Sequence, residues 1–321
     1  MKKAIAILII NYIMFSGVPE TQILPPPPPP PPPVTGTGNI SKGDSLLTAG
    51  NILEAVKELR KTYSQNRTEI KYLYNLASAF SYAGETDSSF RYLYLAMKIE
   101  PDLSPLTDPD FYQLRETEKW NEFEDEIITE INAKTNNSIK DTDYAKNLYR
   151  LLCKDQYCFY ETGIAVRQLG PLSPVVTALR RLQSMMNNEN LAELEALINS
   201  KGWPKISMVG PEAAGAAFYI LQHSNADSQQ KYIEVFRKAC MEKEGNWNQY
   251  ALMFDRLRMN QNLPQKYGTH FILDNRTTGK NILYPLEDET KVDEWRKEIG
   301  LEPLDDYLRK MNIQNLPLGN N

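Results

Sequence analysis

The sequence predicts a mainly α-helical protein, in which helical hairpins precede a compact helical domain that carries one β-hairpin. Three observations lead there. A 34-residue period (Gly50 to Gly84) runs through the first third. Beyond it, apolar residues recur at helical spacing between caps and breakers such as Ser173-Pro174, Gly202 and Gly210-Pro211. Only between Thr269 and Tyr284 does the pattern change to that of paired strands.

The chain opens on an export-type segment. Lys2 and Lys3 precede Ala4–Phe15, apolar except for Asn11, and small Ser16 and Gly17 follow. Residues 1–17 are therefore expected to be a signal peptide, because the stretch is shorter than the roughly 20 residues of a bilayer span. Phe15 spoils a small-x-small cleavage pattern, which leaves an uncleaved anchor as the alternative. The expected location is the periplasm or cell envelope, with no transmembrane span after cleavage. The first cysteine is Cys153, so the N-terminus has no thiol to carry a lipid. Residues 18–39 read as a linker. Their nine consecutive prolines, Pro25–Pro33, have fixed φ and no donors, which gives a polyproline rod of roughly 28 Å. A net charge of -5 without any Lys/Arg block argues against a nucleic-acid partner.

Helical hairpins are expected over residues 40–131. Gly50-Asn51-Ile52-Leu53-Glu54-Ala55 aligns with Gly84-Glu85-Thr86-Asp87-Ser88-Ser89, Gly43 with Ala77, Leu46 with Phe80 and Leu59 with Leu93. Leu73, Leu76, Ala77, Phe80, Ser89, Leu93, Ala96 and Pro101 complete a spacing that resembles the tetratricopeptide repeat, a 34-residue helix-turn-helix. Two such units need a cap. Asp108 to Ile128 supplies one, with Leu114, Trp120, Phe123 and Ile127 as its apolar stripe. Polar, aperiodic Asn132–Asp141 marks the boundary to a second unit over 142–313.

In that unit Ser173-Pro174 reads as an N-cap followed by Pro at the first helical position. Val175, Leu179, Leu182 and Met186 then recur at helical spacing, continued by Leu191, Leu194, Leu197 and Ile198. Pro211 starts another helix, whose Ala213-Ala214-Gly215-Ala216-Ala217 is thin enough to pack at the centre. Tyr232–Lys243, Trp247–Met259, Glu289–Ile299 and Pro303–Met311 read as further helices. Thr269–Leu273 and Asn281–Tyr284 flank a polar tip, Asp274–Lys280, as the two arms of a hairpin.

The series Gly202-Trp203-Pro204, Val209-Gly210, Gln222-His223, Asp255-Arg256, Gln265–Thr269, Pro285–Asp288 and Gly300–Leu304 resembles the bacterial domain-of-unknown-function family 6624, over about Tyr144 to Met311. The resemblance implies no established activity. It does imply that members are often exported and sometimes carry tetratricopeptide-like helices in front. Two positions depart from the family pattern: Asn187, where an acid is usual, and His270, where Gln is usual.

The candidates for chemistry are His223, Asp255, Arg256 and Tyr267, with His270 set back by that departure. His223 lies near a helix end, where it either caps the helix or works as a base, with Asp227 one turn on to orient it. Arg256 either binds a carboxylate or phosphate in a fork or joins a structural ion pair with the Tyr267 turn. Lys154-Asp155-Gln156 places polar groups in an apolar helix and is expected to fold back to the same site. Cys153, Cys158 and Cys240 are expected to be free buried thiols, with one disulfide as the alternative; Cys153 and Cys158, five apart, would point in different directions on a helix and not bond. No metal-ligand spacing, phosphate loop, nucleophile elbow or dinucleotide fingerprint occurs, so no cofactor and no metal is expected. The leading expectation is an envelope binding or scaffold protein that contacts a protein or peptide partner through its repeats. The alternative is an envelope hydrolase with a pocket around His223, Asp255, Arg256 and Tyr267.

Overall fold

A computed structural model describes residues 41–65, 69–134, 139–273 and 281–311. The expected signal peptide, the proline linker and the hairpin tip lie outside them. Ser41 opens helix α1 (Lys42–Thr48) with a capping box: its hydroxyl accepts from Asp44 N and its own N–H donates to the Asp44 carboxylate. Three further helices follow: α2 (Ile52–Gln65), α3 (Ile70–Tyr82) and α4 (Thr86–Ile99).

The period seen in sequence is visible as two identical helix endings. Asn51 N–H donates to Leu46 O and Gly50 N–H to Leu47 O at the end of α1. Glu85 N–H donates to Phe80 O and Gly84 N–H to Ser81 O at the end of α3. Each is a Schellman motif, and it places Gly50 and Gly84 at φ 78° and 73°, where a side chain would be strained. At Gly43 the need is different. A Cβ there would meet Leu59 Cγ at 2.5 Å, so glycine lets α1 close onto α2.

The cap is built from two short 3-10 segments, Ser104–Leu106 and Pro109–Glu116, and helix α5 (Glu118–Lys134). Phe111, Leu114, Trp120, Phe123 and Ile127 all enter the core. The second segment lies against α3. Tyr74 donates to Asp108 at 2.6 Å, Tyr82 to Asp110 at 2.9 Å, and Ser78 also donates to Asp110.

Burial, with the charge of Asp110 beside it, raises the Asp108 carboxyl to about 7. Its folded affinity for protons thus exceeds its unfolded one. The resulting stability is complete below about pH 4 and is lost as the pH rises towards 7. Asp108→Asn keeps the Oδ1 acceptor of the cap, lets the new amide donate to the Tyr74 hydroxyl oxygen in place of accepting from it, and removes this loss. Urea unfolding at pH 5 and pH 8 should show the variant losing about 1–4 kcal/mol less than the parent across the interval. Parallel losses in both proteins would refute the assignment.

Helix α6 (Thr142–Leu169) begins at the Asp141 cap and packs against the two 3-10 segments. Buried Glu124 of α5 accepts from Trp120 Nε1 and pairs with Arg150 of α6. Asn132 clasps Ile139 by two hydrogen bonds, and one hydrophobic core continues from Leu73 to Tyr267 across the polar boundary segment.

Gly170 ends α6 at φ 82°, and α7 (Pro174–Lys201) returns beside it from the Ser173 cap. The buried face of α7 is Val176, Gln183, Asn190 and Leu194. Of the stripe Val175, Leu179, Leu182 and Met186, Val175 and Leu182 face solvent, while Leu179 and Met186 are half-buried. Among the described residues only α6 covers this end of α7, so helical spacing alone could not tell a buried stripe from an uncovered one.

Short α8 (Ile206–Val209) and α9 (Pro211–Gln222) follow. α9 is central, with Ala213, Gly215, Ala216 and Ala217 all buried, and it packs on α6, α7, α10 (Ala226–Met241) and α11 (Trp247–Asn260). Strands β1 (Phe271–Leu273) and β2 (Asn281–Leu283) pair antiparallel with Ile272 opposite Ile282. The fold is therefore mainly α with one two-stranded hairpin. Helices α12 (Val292–Glu298) and α13 (Leu304–Lys310) close it, with Leu283, Val292, Leu304 and Leu308 forming a small core under the hairpin. No described helix is long and apolar enough to cross a membrane.

Candidate functional site

Two polar layers lie against the C-terminal end of α9. Gln222 and His223 are consecutive there, so their side chains leave the helix about 100° apart and serve different layers.

The first layer faces α6 and α7. His223 Nδ1 lies 2.9 and 3.1 Å from the two carboxylate oxygens of Asp155, which is 1% exposed. The Phe159 ring packs on the imidazole with centroids 4.0 Å apart. The orienting carboxylate is thus Asp155 rather than Asp227, because α6 folds back under α9 as the Lys154-Asp155-Gln156 run suggested. Among the described residues Nε2 of His223 has no partner. A carboxylate on Nδ1 holds the proton there and leaves Nε2 as the basic nitrogen. Lys154 bridges from α6 to Glu189 and Glu193 of α7, on either side of Asn190 in sequence. Asn190 is fully buried, and neither its amide oxygen nor its nitrogen meets a protein partner.

The second layer faces α11 and the turn before β1. Asp255, fully buried, accepts from Lys266 N (2.8 Å), Tyr267 N (3.0 Å), Thr269 N (3.1 Å) and Thr269 Oγ1 (2.9 Å). All of its acceptor capacity closes the turn, in which Gly268 sits at φ 70° against Leu304. Tyr267 belongs to the same closure. Its ring packs on Tyr250 and Phe254, and its carbonyl accepts from Arg296.

Thr269 has one hydroxyl proton and gives it to Asp255. Its contact with His270 Nδ1 (2.8 Å) therefore requires that nitrogen to be the donor. His270 Nε2 is then the acceptor for Gln222 Nε2–H at 3.2 Å. Burial and the nearby positive charge of Arg256 hold His270 well below the usual histidine range, which matches this neutral tautomer. The chain of bonds ends at Gln222 Oε1, which has no donor.

Arg256 lies beside this chain, 5% exposed, and its Nε has no acceptor. Burial alone lowers its guanidinium to about 10. The other buried arginine among the described residues, Arg296, gives hydrogen bonds to two carbonyls and lies over the Tyr307 ring. Among the described residues Arg256 meets no carboxylate and no carbonyl.

The structure therefore separates the four sequence candidates. Asp255 and Tyr267 build a turn, while His223 and Arg256 flank α9 in different layers. Gln222 and Asn190 were not singled out as working groups. Their signal is structural, a buried amide without a partner, and no spacing in the sequence announces it. No described group of His, Cys, Asp and Glu could hold a metal ion. All three cysteines are buried free thiols, and burial raises each of them.

These features define a helical domain, closed by one hairpin, with a buried unpaired cation beside its central helix. Residues 167–315 match a family of unknown function (DUF6624), so the resemblance drawn from the punctuated motifs holds over that span. His223, Arg256, Gln222 and His270 fall within the match, whereas Asp155 and the helical hairpins precede it. No curated protein and no solved structure matches the chain.

Proposed function

We propose that this is an exported envelope protein whose C-terminal unit binds a small oxyanion that also carries an O–H, such as a hydroxycarboxylate or a protonated phosphate. The observation that carries the reading is Arg256. A buried charge without a counter-ion costs several kcal/mol, and retention of such a group is understandable where a ligand supplies the opposite charge. Water could satisfy the Nε donor but could not neutralise the charge. Gln222 Oε1, the idle acceptor on the same bond chain, favours a ligand that donates as well as accepts. Isothermal titration with lactate, propionate and inorganic phosphate tests this. Lactate should bind about tenfold tighter than propionate, the worth of one added hydrogen bond. Absence of binding by all three would remove the reading.

Export rests on Lys2-Lys3 and the apolar run to Phe15. Fractionation of cells producing the tagged chain should place it in the envelope, and recovery from the cytoplasm would count against export. The 34-residue offset and the paired Schellman endings support a tetratricopeptide-like module. Its α3 face is covered by the Asp108–Asp110 segment, so in this proposal the module supports the fold more than it reads peptides.

A second reading, a hydrolase, is favoured by the Asp155–His223 pair, which has the arrangement of an oriented general base for a water nucleophile. If an ester substrate is found, Asp155→Asn should lower kcat about 100-fold or more with KM little changed, by the loss of base orientation. Unchanged kcat would end that reading.

A further inference from the structure

The far end of the α6–α7 hairpin has the composition of an interface, and among the described residues no other element covers it. Between Thr162 and Met185 only Thr162, Ala165, Val176 and Gln183 are buried, and none joins a hydrophobic cluster. This leaves roughly two turns of α6 and three of α7 supported only by each other. Their apolar side chains point outward: Leu172 is 93% exposed, Met185 61%, Leu169 54% and Val175 50%. Leu182 continues the same stripe. The charges are of one sign. No Asp or Glu occurs between Glu161 and Glu189, whereas Arg167, Arg180 and Arg181 do, in a chain whose net charge is -5.

An apolar patch set among cations and free of acids suits one surface best. We propose that this tip docks onto an anionic lipid bilayer, with Leu169, Leu172 and Val175 entering the headgroup layer and the three arginines meeting lipid phosphates. A second copy of the chain fits poorly, because two tips face to face would bring six arginines together with no acid between them. The tip adds a point of attachment that does not depend on the N-terminal segment or on the oxyanion site.

The test uses the full chain with Leu172→Cys carrying an environment-sensitive fluorophore; the three native thiols are buried. A second labelled protein, Leu53→Cys, reports from an exposed position on α2. Vesicles of equal parts phosphatidylcholine and phosphatidylglycerol should shift the emission of the label at 172 to the blue and leave that at 53 unchanged. Pure phosphatidylcholine vesicles should give little shift at either position, whatever the N-terminal segment does. Arg180→Glu with Arg181→Glu, both exposed, should weaken the response about tenfold or more. An equal shift on neutral vesicles, or no shift on anionic ones, would overturn the proposal. So would retained affinity in the double variant. A shift that appears without lipid and vanishes on dilution would assign the face to copies of the chain instead. A shift with polyglutamate but not with vesicles would assign it to an acidic polypeptide.

Discussion

Asp255→Ala is expected to destabilise the protein by about 3–5 kcal/mol, enough to unfold much of the population of a domain of ordinary stability. The cause is local and countable. Removing the carboxylate leaves the backbone N–H groups of Lys266, Tyr267 and Thr269 and the Thr269 hydroxyl without an acceptor. Those donors are buried or nearly so, and each orphaned one carries its own desolvation cost. The damage should spread, because the turn they close positions Tyr267 O for Arg296 and His270 for Gln222. Asp255→Asn retains an acceptor oxygen and should fall between the two. Urea denaturation followed by far-ultraviolet circular dichroism checks the series. An alanine variant within about 1 kcal/mol of the parent would show that the turn is held by something else.

The second large effect has the opposite sign. Arg256→Met removes a buried cation that meets no counter-ion among the described residues, and fills its place with an unbranched apolar chain. Comparable replacements of buried charge by apolar residues are neutral or stabilising by about 1–4 kcal/mol. The contrast with Arg296 makes the expectation specific. Arg296 holds Tyr267 O and Glu302 O, so Arg296→Met should destabilise where Arg256→Met does not. A stabilising substitution at a buried position indicates a residue kept for something other than the fold.

Much of the fold was legible in the sequence. The Gly50/Gly84 offset fixes two helical hairpins because a Schellman ending demands glycine at the same place in each. Ser173-Pro174, Gly202 and Gly210-Pro211 mark helix ends for equally local reasons, and the structure places ends at those residues. Local chemistry could not show which face of α7 is covered. Val175 and Leu182 have the spacing of core residues, and they are exposed because no other described element packs there. The site was legible in part. His223, Asp255 and Arg256 stand out as polar residues in apolar surroundings, but adjacent helix positions diverge, and Asp255 turns away from Arg256 to the Tyr267 turn. The union of Asp155 with His223 spans two distant helices, so only the oddity of a charged run inside α6 hinted at it. Gln222 and Asn190 matter through bonds they do not make, a property that exists only once the chain has packed.

The claim that Arg256 is held for an oxyanion is tested most directly by comparing unfolding midpoints of the parent and Arg256→Met, with and without inorganic phosphate. Without phosphate the variant should be at least as stable as the parent. With phosphate at 100 times its dissociation constant the parent should gain about 2.7 kcal/mol and the variant nothing. A variant that is less stable than the parent without phosphate, paired with a parent that does not respond to it, would show that Arg256 serves the fold and not a ligand.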